Sequence, residues 1–171
     1  MGDMNMIRVN FDGTWDVVVE AASRANLVLA SKAFYEAIRA HTRFDLTDAS
    51  PNEIGEALEQ CTLRLTVSLY KSRNPWSRAL GYEDERQPNI VFLNTRKLNR
   101  SVASIVGTIV HEAVHAADAH SSLEFHHGDD SSIGKENTAP YWIGNLGISI
   151  ASGSAFAAVD HAPHDVAESL A

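Results

Sequence analysis

Two histidines and a glutamate lie close together in the segment His111-Glu112-Ala113-Val114-His115 of this 171-residue chain. Residues four apart on an α-helix lie one turn above each other, so His111 and His115 would project from one helix face. Two neutral imidazoles at this spacing can bind a divalent metal ion, zinc above all. Glu112 lies beside them, where it can take a proton from a water at the metal. The spacing therefore predicts a catalytic zinc site.

The stretch from Ser101 to His120 has the pattern of an amphipathic helix. Its aliphatic residues recur at intervals of three and four: Val102, Ile105, Val106, Ile109, Val110, Ala113, Val114 and Ala117. The opposite face carries mostly small or polar residues: Ser104, Gly107, Thr108, His111, His115 and Asp118. Asn99 or Ser101 can serve as the N-cap. Such a helix buries its aliphatic side and directs its histidines into a cleft. The alternative is a pair of ordinary core or surface histidines.

The N-terminal part of the chain has the patterns of one strand and two helices. Met6–Phe11 is read as a short strand, and Asp12 or Thr14 can cap a long helix that runs to about Ala40. A sharper helix start follows in residues 50–60, which open on Ser-Pro-Asn-Glu. This sequence combines an N-cap serine, a proline at the first helical position and a glutamate that closes a capping box.

Two strands are expected before the motif helix. Thr62–Lys71 alternates polar and apolar residues, and Asn89–Asn94 is a short apolar run. The sequence between them, SRNPWSRALGYEDERQPN, is read as a polar turn region.

A polar loop, a short helix and a loose tail are expected after the motif helix. The loop runs to about residue 137, the helix covers Thr138–Ser152 with Pro140 in its first turn, and the tail begins at about His161. Residues 1–171 are therefore predicted to form a single α+β domain. Its helices pack on a small sheet, and the motif lies on a central helix.

Composition and charge restrict the classes of function. Apolar residues make up 44% of the chain, which is typical of a globular protein, and the net charge is −8. An acidic chain lacks the basic patch that nucleic acid requires. Cys61 is the only cysteine, so neither an internal disulfide nor a cysteine-based zinc cage is expected. The absence of a Sec-type signal sequence and of long apolar stretches predicts a cytoplasmic protein without a membrane anchor, or one exported without a cleavable Sec signal.

The pattern of His111, Glu112 and His115 resembles the active-site motif of the zincin metallopeptidases. This resemblance implies a zincin-like fold that hydrolyses peptide bonds, with the two histidines as zinc ligands and Glu112 as general base. In zincins, an edge strand shortly before the motif helix receives extended substrate through main-chain hydrogen bonds. By resemblance this role falls to Ile90–Asn94, and the alternative is a purely structural strand.

A catalytic zinc site uses a third protein ligand, and the groups of zincins differ in what supplies it. The metzincin pattern H-E-x-x-H-x-x-G-x-x-H fails, because Asp118 and Ser121 occupy its glycine and final histidine positions. In gluzincins the ligand is a later glutamate. Glu136 has a compatible separation, although Pro140 stands where an aspartate is usual. The aspzincin motif G-T-x-x-D is absent from the sequence.

The remaining arrangement is a histidine in a His-Gly turn after the helix, as in SprT-like and related small zincins. His127-Gly128 matches this pattern and implies that His127 is the third ligand. His126, Glu136 and Asp118 are the alternatives, and the two adjacent histidines can also be read as a polar loop pair. The SprT-like DNA-repair proteases are otherwise a poor fit, because this chain is acidic.

Two further residues are candidates for roles in the site. Asp118 follows His115 by three positions, so its carboxylate can orient that histidine, or it is a plain polar residue on the helix face. Tyr141 can stabilise a tetrahedral oxyanion, or it is an aromatic residue packed at a helix start. The segment around Tyr141, residues 139–144, resembles one found in small bacterial H-E-x-x-H proteins and toxin-like effector domains.

These observations predict a zinc peptidase that acts on a protein or peptide. A peptidase of the toxin or effector type is one form of this prediction. One alternative is a non-catalytic metal-binding or protein-interaction domain derived from a zincin. Another is a helical interaction domain with an accidental motif. The intact Glu112 favours the peptidase, because a binding domain has no need of a general base.

Overall fold

A computed structural model describes residues 6–74, 76–77, 79–84, 86–128 and 133–154. Within these ranges, five α-helices pack against a four-stranded sheet, which confirms the α+β class. The elements are β1 (Arg8–Asn10), α1 (Asp16–Leu29), α2 (Lys32–Arg39), α3 (Pro51–Gln60), β2 (Arg64–Tyr70), β3 (Gly81–Asp84), β4 (Gln87–Asn94), α4 (Val102–Ala119) and α5 (Ala139–Ser152). The expected tail from His161 lies outside the described residues.

The sheet has the strand order β1-β2-β4-β3, with β1, β2 and β4 parallel and β3 antiparallel to β4. Val67 on β2 pairs with Val91 on β4, and both are buried against the helices. The prediction that Ile90–Asn94 forms an edge strand is wrong, because β4 is paired on both sides. In the described part of the chain, β3 is the outer strand next to it.

The strand β3 lies in the region that was expected to be a polar turn. Its four residues are too few to show a strand periodicity, and it pairs only because β4 offers a backbone edge. Gly81 begins this strand and approaches α4 closely. A Cβ added there would lie 3.0 Å from Cγ2 of Thr108 and 2.7 Å from the carbonyl oxygen of Phe92. The glycine therefore allows β3 to lie beside the motif helix.

The long N-terminal helix that the sequence predicted is in fact two helices, α1 and α2. Trp15, rather than Asp12 or Thr14, is the N-cap of α1. The chain breaks at Ser31, whose backbone is extended and which serves as the N-cap of α2. The hydroxyl of Tyr35 on α2 donates a 2.7 Å hydrogen bond to the carbonyl of Leu29, where α1 ends. The break lets α2 turn a second apolar face into the core.

The capping box at the start of α3 is confirmed. The backbone N–H of Glu53 donates to Oγ of Ser50 at 3.3 Å, and the N–H of Ser50 donates to Oε2 of Glu53 at 2.8 Å. Both bonds satisfy backbone groups that a helix start leaves without an intrahelical partner.

The motif helix α4 is central, since it packs against α1, α3, α5, β3 and β4. Ser101 is its N-cap and accepts a hydrogen bond from the N–H of Ser104 at 3.2 Å. Because neighbours surround it, α4 buries part of its polar face as well as its aliphatic face. None of the helices in the described ranges has the length and apolar character needed to cross a membrane.

Candidate metal centre

Three histidine side chains converge beside α4. His111 and His115 project from the helix, His127 comes from the loop that follows it, and one ring nitrogen of each lies within 4.8 Å of the others. The ring centroids of His127 lie 5.4 Å from His111 and 4.6 Å from His115. His111 is fully buried and His127 is 7% exposed. The arrangement implied by the His-Gly resemblance is therefore present.

The two helix histidines are spaced as ligands of one ion would be. Their Nε2 atoms are 3.2 Å apart. Zinc–nitrogen bonds of about 2.0–2.1 Å in a tetrahedral site place two ligand nitrogens about 3.3 Å apart. A donor set of three imidazoles is one that zinc accepts in catalytic sites, where water supplies the fourth ligand. The group could therefore hold a metal ion, and its residues fit zinc.

Burial keeps the helix histidines in the neutral form that binds metal. It lowers the pKa of His115 to about 3, with further contributions from nearby His127 and His126. It lowers the pKa of His111 well below its ordinary value, and His115 and His127 act in the same direction. The backbone of Pro140 opposes this effect on His111. Both imidazoles are consequently neutral at physiological pH, with lone pairs available for a cation.

The loop that carries His127 is fastened at several points. The N–H of Phe125 donates to Oδ1 of Asp118 at 2.8 Å, and Phe125 itself is fully buried in the core. The Lys135 ammonium donates to the backbone carbonyl of His127, and the Thr47 hydroxyl donates to that of Glu124. These contacts come from α4, from the segment before α5 and from the segment between α2 and α3.

The turn itself depends on a glycine. Gly128 follows His127 with φ of +79°, a conformation in which a residue with a side chain is strained. The His-Gly pair therefore has a structural reason: the residue directly after the histidine adopts a left-handed backbone conformation that favours glycine.

The other proposed ligands do not join this group among the described residues. His126 is exposed, and its Nδ1 accepts a hydrogen bond from the N–H of Gly128 at 3.1 Å. Glu136 accepts from the N–H of Gly134 at 3.3 Å. The carboxylate of Asp118 bonds the loop backbone, so the hydrogen bond that the structure gives it is not the predicted one to His115. Burial raises the pKa of Asp118, and the bond from Phe125 opposes this increase.

Tyr141 packs beside the histidine group, and Glu112 is buried in the interior. The Tyr141 ring is 4.6 Å from the His111 ring and 5.0 Å from the His127 ring, measured between centroids. It is buried and also packs against Leu80, which immediately precedes β3. Glu112 is 1% exposed, so a carboxyl group is held in the interior next to the histidines in sequence. Such a position is unusual for glutamate unless it is paired or functional.

Glycines at the contact between α4 and α5 were not predicted as part of the site. A Cβ on Gly144 would lie 3.2 Å from Cβ of His111 and 3.1 Å from the carbonyl oxygen of Gly107. On Gly147 it would lie 3.1 Å from Cγ2 of Val110. The spacing of Gly144 and Gly147 on one helix is a signal that the sequence contained, since small residues three apart allow a close helix contact.

Comparison of the chain with protein-family models, with curated proteins and with solved structures found no match in any of the three.

Proposed function

We propose that the protein is a zinc-dependent peptidase of the zincin type that hydrolyses peptide bonds in a protein or peptide. The observation that carries this proposal is that the imidazoles of His111, His115 and His127 converge beside α4. The same helix carries Glu112 directly after His111. A metal-storage site has no need of this glutamate, whereas hydrolysis requires a general base beside the metal. His111, His115 and His127 would hold the ion.

A bound zinc ion would polarise a water molecule and lower the pKa of that water toward neutrality. Glu112 would act as general base toward the attacking water and would later deliver the proton to the leaving amine as general acid. The phenol of Tyr141 donates a hydrogen bond to the developing oxyanion. The mechanism has no covalent intermediate, so Cys61 and the serines take no part in it.

An outer strand beside α4 supports the binding of an extended substrate at the edge of the sheet. β3, and not β4, is the outer strand next to α4 in the described part of the chain, and Gly81 brings it against the face that bears Thr108. Thr108 precedes His111 by one helical turn on that face. An extended peptide paired with β3 would therefore run alongside the histidine face of α4. A substrate bound in this way is a protein or peptide rather than a nucleic acid, in keeping with the net charge of −8.

The test replaces the proposed base while leaving the ligands in place. We expect Glu112→Gln to keep its zinc and to lose cleavage of labelled casein by about 10²- to 10⁴-fold, because the amide cannot accept the proton of the water. Zinc content by elemental mass spectrometry and release of labelled peptides are the two measurements.

Glu136→Gln is the matched control, since Glu136 lies outside the histidine group, and we expect it to retain both zinc and cleavage. Unchanged cleavage by Glu112→Gln would contradict the proposed role of Glu112. Wild-type protein that binds zinc but cleaves nothing would favour the alternative, a non-catalytic metal-binding domain.

A further inference from the structure

The carboxylate of Asp118 is engaged with the loop rather than with a metal ligand. Asp118 lies one helical turn beyond His115, half-buried near the end of α4. Its Oδ1 accepts a 2.8 Å hydrogen bond from the backbone N–H of Phe125, seven residues later in the chain. Phe125 is 0% exposed, so its N–H lies beside the core, where a backbone donor needs a partner. The bond therefore ties the loop to the helix that bears the other two histidines.

The anchored residue is two positions before His127. Residues 121–128 form neither helix nor strand in the structure, so repeating backbone hydrogen bonds do not determine the position of His127. On the far side of His127, Gly128 has a positive φ and the Lys135 ammonium donates to the His127 carbonyl. Asp118 is thus the group by which α4 itself holds the chain immediately before the third histidine.

We infer that Asp118 is a positioning residue that holds His127 in the metal centre through the backbone of Phe125. This inference rests on the proposed metal centre and adds to it the origin of the third ligand's position. Fixing the loop in advance removes an ordering cost from metal binding, so the contact should raise metal affinity without touching the ion.

The inference predicts different effects from two substitutions at one position. Asp118→Ala removes the acceptor and should weaken zinc binding by about 10- to 100-fold, the range typical of groups that support metal ligands. Asp118→Asn keeps an oxygen that can accept from the Phe125 N–H, so it should bind zinc with an affinity close to that of the wild type. Affinity is measured by competition with a chromophoric zinc chelator.

A second background separates positioning of His127 from a general effect on the fold. In His127→Ala protein, adding Asp118→Ala should change the residual zinc affinity by less than about twofold, because the two substitutions act on one interaction. An equal loss of zinc affinity from Asp118→Ala in the wild-type and His127→Ala proteins would overturn the inference. So would an Asp118→Asn variant that binds zinc as weakly as Asp118→Ala. If Asp118→Ala does not fold, Asp118→Asn remains the test. A hydrogen-bond role predicts a zinc affinity close to that of the wild type, whereas a role for the negative charge predicts weaker zinc binding.

Metal-free protein gives a measurement that does not depend on zinc or on catalysis. Backbone amides of residues 121–128 should exchange with deuterium faster in Asp118→Ala than in the wild type or Asp118→Asn. Unchanged exchange would overturn the inference even if the metal centre is correct. Faster exchange in Asp118→Ala, together with a wild-type protein that binds no zinc, would support the loop anchor and contradict the proposed metal centre.

Discussion

The two parts of the candidate metal centre are held in place by different means. His111 and His115 are fixed by one turn of α4, whose surroundings include three other helices and two strands. His127 lies in a loop without regular structure, which Asp118 holds at Phe125 and Lys135 holds at the His127 carbonyl. The first part depends on local helix geometry and on burial. The second depends on contacts between residues that are distant in sequence.

Changes at α4 and changes at the loop should affect different properties of the protein. His111 and His115 are held together wherever α4 is folded. Changes that disturb these two histidines should therefore also affect the stability of the protein. The loop histidine can be displaced by the loss of a single hydrogen bond while the core remains intact. The domain should therefore lose stability when the helix pair is disturbed, and lose metal affinity alone when the loop is disturbed.

The largest effect on the helix pair is expected from acid. The pKa of His115 is about 3 in the folded protein, chiefly because of burial, and that of His111 is also lowered. In the unfolded chain both would have pKa values near 6.5, so below that pH the unfolded state binds more protons and the folded state loses stability. For His115 the loss approaches about 1.4 kcal/mol per pH unit well below pH 6.5 and amounts to about 2 kcal/mol between pH 6.5 and 4.5, and His111 adds a loss of the same sign.

Urea unfolding of the metal-free protein at pH 7.5, 5.5 and 4.5 measures this loss. The variant His115→Gln should show a shallower pH dependence than the wild type, since it lacks one of the two buried imidazoles. His126→Gln, the control in the exposed part of the loop, should change the slope much less than His115→Gln, because burial and not His126 is the main cause of the lowered pKa of His115. If the unfolding free energy depends on pH with the same slope in all three proteins, the proposed difference between the helix histidines and the loop is wrong.

A smaller effect is expected from Gly144→Ala on α5. The added Cβ would lie 3.2 Å from Cβ of His111 and 3.1 Å from the carbonyl oxygen of Gly107, so α4 and α5 must separate by a few tenths of an ångström. We expect unfolding to become easier by about 1 kcal/mol, the low end of the cost of overpacking, and zinc affinity to fall severalfold. Thermal unfolding and chelator competition are the measurements.

Gly55→Ala on α3 is the control for that substitution, because the added Cβ would meet mainly the side chain of Arg39, far from α4 in sequence. It should leave zinc affinity unchanged. If Gly144→Ala and Gly55→Ala have equal effects on affinity, the close contact between α4 and α5 does not position His111.

The elements with local signals were predictable from the sequence. The capping box of α3, the alternation in β2 and the periodicity of α4 each appear within one short stretch of chain, because the interactions that create them are local. The spacing of His111 and His115 belongs to this class. His127 was reached only through a resemblance, since spacing alone left His126, Glu136 and Asp118 open.

The features that were missed depend on distant contacts. β3 forms because β4 offers an edge, so its four residues show no pattern of their own. The edge role of Ile90–Asn94 was assigned by resemblance alone, and β3 occupies that edge of β4. The break between α1 and α2 exists because both helices bury apolar faces on one core. The bond from Phe125 to Asp118 joins a loop backbone to a helix side chain, and residue types alone do not reveal such a bond.

The most direct test of the account is the zinc content of purified protein and of two neighbouring variants. Wild-type protein and His126→Ala should each hold about one zinc per chain after dialysis, because the three histidines could hold one ion and His126 lies outside the histidine group. His127→Ala should lose its zinc under the same conditions. Zinc retained by His127→Ala would exclude His127 as a ligand, and wild-type protein without zinc, even after reconstitution, would contradict the metal centre altogether.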